Sequence, residues 1–192
     1  MVAMPYAEVP SLMKKLSEAS PTTGRNALRF TIYNAVRSNE TRLAVWTEFD
    51  LAKGIWTIPA ERMKARETHI IPLAPPALTL LRKLWKERGS NTSLVFTNNG
   101  TKPISDVTMT KLLRDDGIEG VTVHGFRSSF MDWSSEQTSF PKEVADKALA
   151  HKLPNKVEAA YRRTNFFEKR RALMAKWAEF LDRATSNDEY LS

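Results

Sequence analysis

Apolar residues recur at three-to-four spacing over residues 7–19, through Ala7, Val9, Leu12, Met13 and Leu16, and again over 25–36, through Leu28, Ile32 and Val36. That period predicts two amphipathic helices, separated by the polar run Ser20-Pro21-Thr22-Thr23-Gly24. A short helical piece is expected over 41–45, after which the period changes. Residues 46–50 and 55–58 alternate apolar and polar around the turn Leu51-Ala52-Lys53-Gly54, and 69–73 follows a polar connection over 59–68. Three short strands are therefore expected to pair as a small antiparallel sheet near 46–73. Pro75 and Pro76 suit the first turn of a helix running to about Arg88, with Leu78, Leu81 and Trp85 as its buried stripe and Gly89 as its stop.

Past Leu94-Val95-Phe96 and the Asn98-Asn99-Gly100 turn, Ser105 is expected to cap a helix over 106–114 that ends before Gly117. Thr122 caps the next, to about Gln137, and Pro141 opens a short one to Leu149. Helices over 155–163 and 166–183 complete the pattern, broken by Pro154 and by Arg163-Thr164-Asn165. The last carries an apolar stripe of Phe166, Phe167, Leu173, Met174, Trp177, Phe180 and Leu181, expected to pack on the chain's own core. The predicted class is α+β, mainly α-helical.

Composition narrows the function. A chain of 192 residues, 42% hydrophobic, is long enough for one sizeable core. The absence of cysteine excludes a disulfide framework and thiolate metal sites, and suits a reducing cytoplasm. No apolar run approaches the roughly 20 residues that span a bilayer, and the opening Met1-Val2-Ala3-Met4-Pro5-Tyr6 lacks the pattern of a signal peptide, so no membrane partner is expected. A formal charge of +7 suits a polyanionic partner such as nucleic acid.

Three clusters carry chemistry. Thr122-Val123-His124-Gly125-Phe126-Arg127 lies at a helix start, where backbone N–H groups favour an anion. His124 and Arg127 share a face there, one able to exchange protons near neutral pH and the other offering a bidentate fork. Gly125 is tolerable inside a first turn if the position needs a close backbone approach. Arg37 and Glu40, again three apart, form either a surface ion pair or an arginine held for a substrate. Lys64, in a basic connection with Arg62 and Arg66, can reach a leaving-group oxygen or a phosphate. The third cluster is Leu149-Ala150-His151 with Tyr161 in Val157-Glu158-Ala159-Ala160-Tyr161-Arg162-Arg163. A phenol with a pKa of about 10 becomes a nucleophile only with a base and cations beside it, which the other clusters can supply. His69 has no such company and reads as structural.

In order and spacing, Arg37 with Glu40, Lys64, His124-Gly125-Phe126-Arg127, Leu149-Ala150-His151 and Tyr161 resemble the tyrosine recombinase, or phage integrase, family. Similarity to the P4-like integrases of prophages and genomic islands runs through Trp56-Thr57-Ile58-Pro59-Ala60-Glu61-Arg62-Met63-Lys64, Pro72-Leu73 and Ala160-Tyr161-Arg162-Arg163. The resemblance implies a site-specific recombinase on double-stranded DNA. In that scheme Arg37 and Arg127 clamp the scissile phosphate, His124 helps deprotonate Tyr161, Lys64 protonates the 5′-hydroxyl leaving group, and His151 hydrogen-bonds the phosphate. The product is a 3′-phosphotyrosyl link, and no metal or nucleotide cofactor is required. Arg62, Arg66, Arg162 and Arg163 are candidate DNA contacts.

Ser38-Asn39 stands where relatives often carry Thr-Gly. Members usually carry an N-terminal core-binding domain, often with an arm-binding domain before it. The chain is accordingly expected to be a catalytic domain over 1–184 without those parts, followed by a flexible tail over 185–192. Further implications are a homotetramer on DNA for the full-length protein, a C-terminal helix that often docks on a neighbouring subunit, and a cytoplasmic, nucleoid-associated location in a bacterium. The alternative readings are a type IB topoisomerase-like strand transferase, a catalytically silent DNA-binding remnant, and a ribonuclease using His124, His151 and Lys64.

Overall fold

A computed structural model of the chain describes residues 2–89, 92–151 and 166–186. Helices α1 (Val9–Glu18) and α2 (Thr23–Asn34) form as their apolar spacing requires, and Thr22 caps α2 by accepting the Arg25 N–H at 3.2 Å. A five-residue helix α3 (Ser38–Arg42) comes next, earlier than the expected 41–45. Its sequence, Ser38-Asn39-Glu40-Thr41-Arg42, has no apolar stripe to announce it. It is fixed by Glu40, whose carboxylate accepts the Arg37 backbone N–H at 2.9 Å, and by Thr41, which meets Thr31 of α2 through their hydroxyls at 2.8 Å.

The sheet has three antiparallel strands in the order β1 (Phe49–Asp50), β2 (Ile55–Ile58), β3 (His69–Pro72), as expected. Only Phe49 and Asp50 of the predicted first strand are extended; Trp46–Glu48 is a 3-10 turn. Trp46 and Phe49, three apart, touch with ring centroids 6.3 Å apart, so three-residue spacing and not alternation governs that segment.

Helix α4 (Pro75–Glu87) buries Ala77, Leu80 and Leu81. The predicted stripe of Leu78, Leu81 and Trp85 is thus rotated by about one position. Ala77 is fully enclosed, whereas Trp85 is exposed and has the Arg88 guanidinium over its ring at 3.1 Å. Helix α5 (Thr108–Asp115) begins two residues later than expected; Gly117, at a φ of 77°, closes it with hydrogen bonds back to Arg114 and from Ile118 to Leu113. Then come α6 (Gly125–Gln137), α7 (Lys142–Ala148) and α8 (Phe167–Ser186). The helix expected over 155–163 lies outside the described residues.

One core joins these elements. On the sheet side Phe30, Phe49, Trp56 and Phe96 pack as a ring cluster. On the α8 side Trp177 stacks on Phe180 and meets Phe130 edge-on, Trp133 packs against all three, and the Trp177 indole N–H donates to the Ile32 carbonyl at 2.9 Å. The stripe of α8 therefore packs on the chain's own α1, α2 and α7. Among the described residues, no helix is long and apolar enough to cross a membrane.

Candidate active site

Two left-handed alanines shape the site. Ala35 (φ 50°) ends α2, and Ala150 (φ 49°) ends α7. An alanine there costs roughly 1 kcal/mol and persists only where the surroundings enforce it. The first reversal sets Arg37 at the start of α3; the second sets His151, whose backbone N–H returns to the Asp146 carbonyl at 2.9 Å.

Arg127, in the first turn of α6, ties both reversals together. It is only 4% exposed, and its Nη1 and Nη2 donate to the carbonyls of Ala35 at 2.9 Å and Leu149 at 2.7 Å. Its Nε–H is buried without a partner, and no carboxylate pairs with it among the described residues. Burial, then the charge of Arg37, pushes its pKa down to about 10 against the smaller pull of Glu40. Arg37 is held differently: Glu40, 6% exposed, takes its Nη1 at 2.7 Å as well as its backbone N–H. The guanidinium is oriented from behind and remains partly open to solvent.

His124 lies just before α6, exposed, within electrostatic reach of Arg127, Arg37 and His151. Partial burial and then those cations hold its pKa below the ordinary imidazole value, opposed by Glu40, so the ring favours the neutral form that accepts a proton. The α6 start is as tight as Gly125 implied, but the close approach is internal. A Cβ there would lie 2.4 Å from the Val2 carbonyl oxygen and 2.9 Å from the Ala3 Cα, because the N-terminal segment crosses the turn and Val2 accepts the Thr122 N–H. Thr122 in turn accepts the Gly125 N–H at 3.0 Å.

His151 is oriented by Asp146, a residue sequence reasoning passed over. Its Nδ1 meets the Asp146 carboxylate at 3.1 Å, and Lys142 holds the other oxygen at 2.9 Å. The available signal was a carboxylate five positions before the histidine, within one helix and its stop. His69 has more company than expected. Its Nε2 lies 3.2 Å from the Ala148 carbonyl at the end of α7, and Arg170 of α8, itself buried, donates to Ile70 at 2.7 Å beside it.

The described structure thus brings Arg37, Glu40, His124, Arg127 and His151 together. Lys64 is exposed in the connection between β2 and β3, and Arg66, at a φ of 57°, is exposed two residues on. Arg62 points inward, its guanidinium engaged by Glu48 and by the Glu40 carbonyl. Tyr161, Arg162 and Arg163 lie outside the described residues. Among those described, no group of three or more His, Asp or Glu side chains is placed to hold a metal ion.

A mainly helical domain with a small three-stranded antiparallel sheet is the fold of tyrosine recombinase catalytic domains. It superposes on XerA recombinase with a TM-score of 0.63 at 17% identity, over 88% of this chain and 64% of that one. A lambda integrase dimer bound to a COC′ core site matches with a TM-score of 0.56 at 19% identity, over 85% of this chain and 48% of that one. Residues 3–168 match the model of the phage integrase family, and the chain belongs to that family. Among curated relatives, the integrase of Enterobacteria phage P4 is 32% identical across 99% of this chain and 47% of its own length. The prophage integrase IntA of Escherichia coli (strain K12) is 32% identical across 96% of this chain and 45% of its own. The chain spans about half the length of the curated relatives it matches.

Proposed function

We propose that the chain is the catalytic domain of a site-specific DNA recombinase that cleaves and rejoins double-stranded DNA during integration or excision of a mobile element. One observation carries the reading: a nearly buried arginine with no carboxylate partner among the described residues sits beside a second arginine held by Glu40. A buried cation that meets carbonyls but no paired carboxylate is costly unless an anion joins it, and two guanidinium groups match the non-bridging oxygens of a phosphodiester.

In this scheme Arg37 and Arg127 stabilise the charge that grows on the pentavalent phosphorus, and His151, steadied by Asp146, donates to the same oxygens. His124 receives the phenolic proton of Tyr161. The phenolate oxygen forms a bond to phosphorus as the bond from phosphorus to the 5′ oxygen breaks, and Lys64 gives that oxygen its proton. A 3′-phosphotyrosyl ester and a free 5′-hydroxyl result. Because the ester conserves the bond, the reverse attack by a 5′-hydroxyl rejoins DNA without a nucleotide cofactor. Arg66, Arg162 and Arg163 are assigned to backbone phosphates. A homotetramer on DNA, with the full-length protein at the nucleoid, completes the reading.

The test is a nicked suicide duplex carrying the boundary sequence of the encoding element, from which the cleaved strand diffuses away and traps the adduct. The wild-type chain accumulates a covalent complex, whereas Tyr161→Phe binds the duplex and forms none. An undiminished adduct from that variant overturns the assignment.

A further inference from the structure

Arg62 was expected to meet DNA, yet its guanidinium is engaged inside the protein. Nη1 contacts both oxygens of Glu48, whose side chain is 7% exposed and also accepts the Trp56 indole N–H at 2.9 Å. Nη2 donates to the Glu40 carbonyl at 2.7 Å. Glu40 is the residue whose carboxylate holds Arg37. A brace therefore runs from the turn before β1, through Arg62, to the helix that presents the arginine of the site.

The brace ends two residues before Lys64. Arg62 closes a single 3-10 turn (Ala60–Arg62), Met63 is buried in the core, and Lys64 emerges directly from these two fixed points. The Arg66 N–H then returns to the Met63 carbonyl at 3.0 Å, folding the tip back toward β3. A long, flexible ammonium side chain reaches one oxygen reproducibly only if its backbone is held. A buried ion pair alone would stabilise the sheet without tying it to α3; the bond to Glu40 is what relates the Lys64 loop to Arg37.

We propose that Arg62 is a positioning residue that sets Lys64 against the arginine cluster, an inference that rests on Lys64 acting as the general acid for the 5′ oxygen. Protonation matters for an alkoxide leaving group and not for a thiolate. A duplex whose scissile 5′ oxygen is replaced by sulfur breaks its bond from phosphorus to sulfur and releases a thiolate without a proton from Lys64. Defects that act through the acid are erased by that substitution, and defects of folding or phosphate binding persist.

The experiment compares cleavage of an ordinary suicide duplex with cleavage of the sulfur-bridged one. Lys64→Ala and Arg62→Met both lose at least about 100-fold on the ordinary duplex, the scale of general acid catalysis, and both return close to the wild-type rate on the sulfur duplex. Arg62→Lys, which keeps the charge but cannot span Glu48 and the Glu40 carbonyl, and Glu48→Gln show smaller losses with the same recovery, and carry the comparison if Arg62→Met fails to fold. If Lys64→Ala recovers on sulfur and the Arg62 and Glu48 variants do not, or if the latter lose nothing on the ordinary duplex, the positioning role is overturned while the acid stands. If Lys64→Ala itself does not recover, the assignment of the acid falls and takes the proposal with it.

Discussion

His69 makes the fold sensitive to acid in a way that one substitution isolates. Burial, and then the nearby Arg170, lowers its pKa from 6.5 to about 4, with Arg127 adding to the shift and Glu40 and the Ala148 carbonyl opposing it. The unfolded chain takes up a proton near pH 6.5, whereas the folded chain does so only near 4. Between those values the unfolded state binds more protons, so stability falls as pH falls through that window. A gap of about 2.5 in pKa is worth about 3 kcal/mol when complete, and about 2 kcal/mol of that is lost between pH 7 and pH 5. Urea unfolding of the wild type and of His69→Gln at those two pH values reads the effect. The glutamine amide retains a donor for the Ala148 carbonyl but has no proton to gain. The wild type should lose about 2 kcal/mol more than the variant on acidification. Equal losses in the two proteins refute the reasoning.

The packing and the site give three further expected outcomes. Trp177→Ala empties a fully buried position and leaves the Ile32 carbonyl without its donor, so thermal or urea unfolding should show a loss of about 3–5 kcal/mol; a loss below about 1 kcal/mol would mean that α8 is not part of the core. Glu40→Gln removes the carboxylate that opposes the depression of the His124 pKa and one charged hydrogen bond to Arg37. The cleavage rate should fall roughly 10-fold or more, and the acid limb of its pH profile, already below 6.5, should move lower; a limb that moves up contradicts the placement of His124. Gly125→Ala places a methyl group against the Val2 carbonyl, so amide hydrogen exchange at Thr122, which donates to that carbonyl, should accelerate; unchanged protection contradicts the crossing of the N-terminal segment.

Much of the helical frame was legible because α1, α2, α6 and α8 bury apolar faces at helical spacing and are flanked by Thr, Pro or Gly signals. What misled was local. Trp46 and Glu48 alternate with polar and apolar neighbours, but Glu48 is drawn inward by Arg62 and Trp56, and no alternation rule encodes a buried ion pair. In α4 the fully buried residue at the first turn is Ala77, too small to stand out in a stripe, while Trp85 is exposed with the Arg88 guanidinium over its ring. Arg37, His124, Arg127 and His151 were legible through their order along the chain. Their supports were less so: Asp146 and Arg62 look like solvated charges until the fold shows what they touch. Even the role of Gly125 depended on a segment more than a hundred residues away.

Tyr161 is proposed to attack DNA within the cluster formed by Arg37, His124, Arg127 and His151. The most direct measurement is peptide mapping by mass spectrometry of the covalent complex trapped on the nicked suicide duplex, after protease and nuclease digestion. The expected product is a nucleotide joined through its 3′ phosphate to the peptide containing Tyr161, with a free 5′-hydroxyl on the released strand. Attachment to another residue, or through a 5′ phosphate, contradicts it.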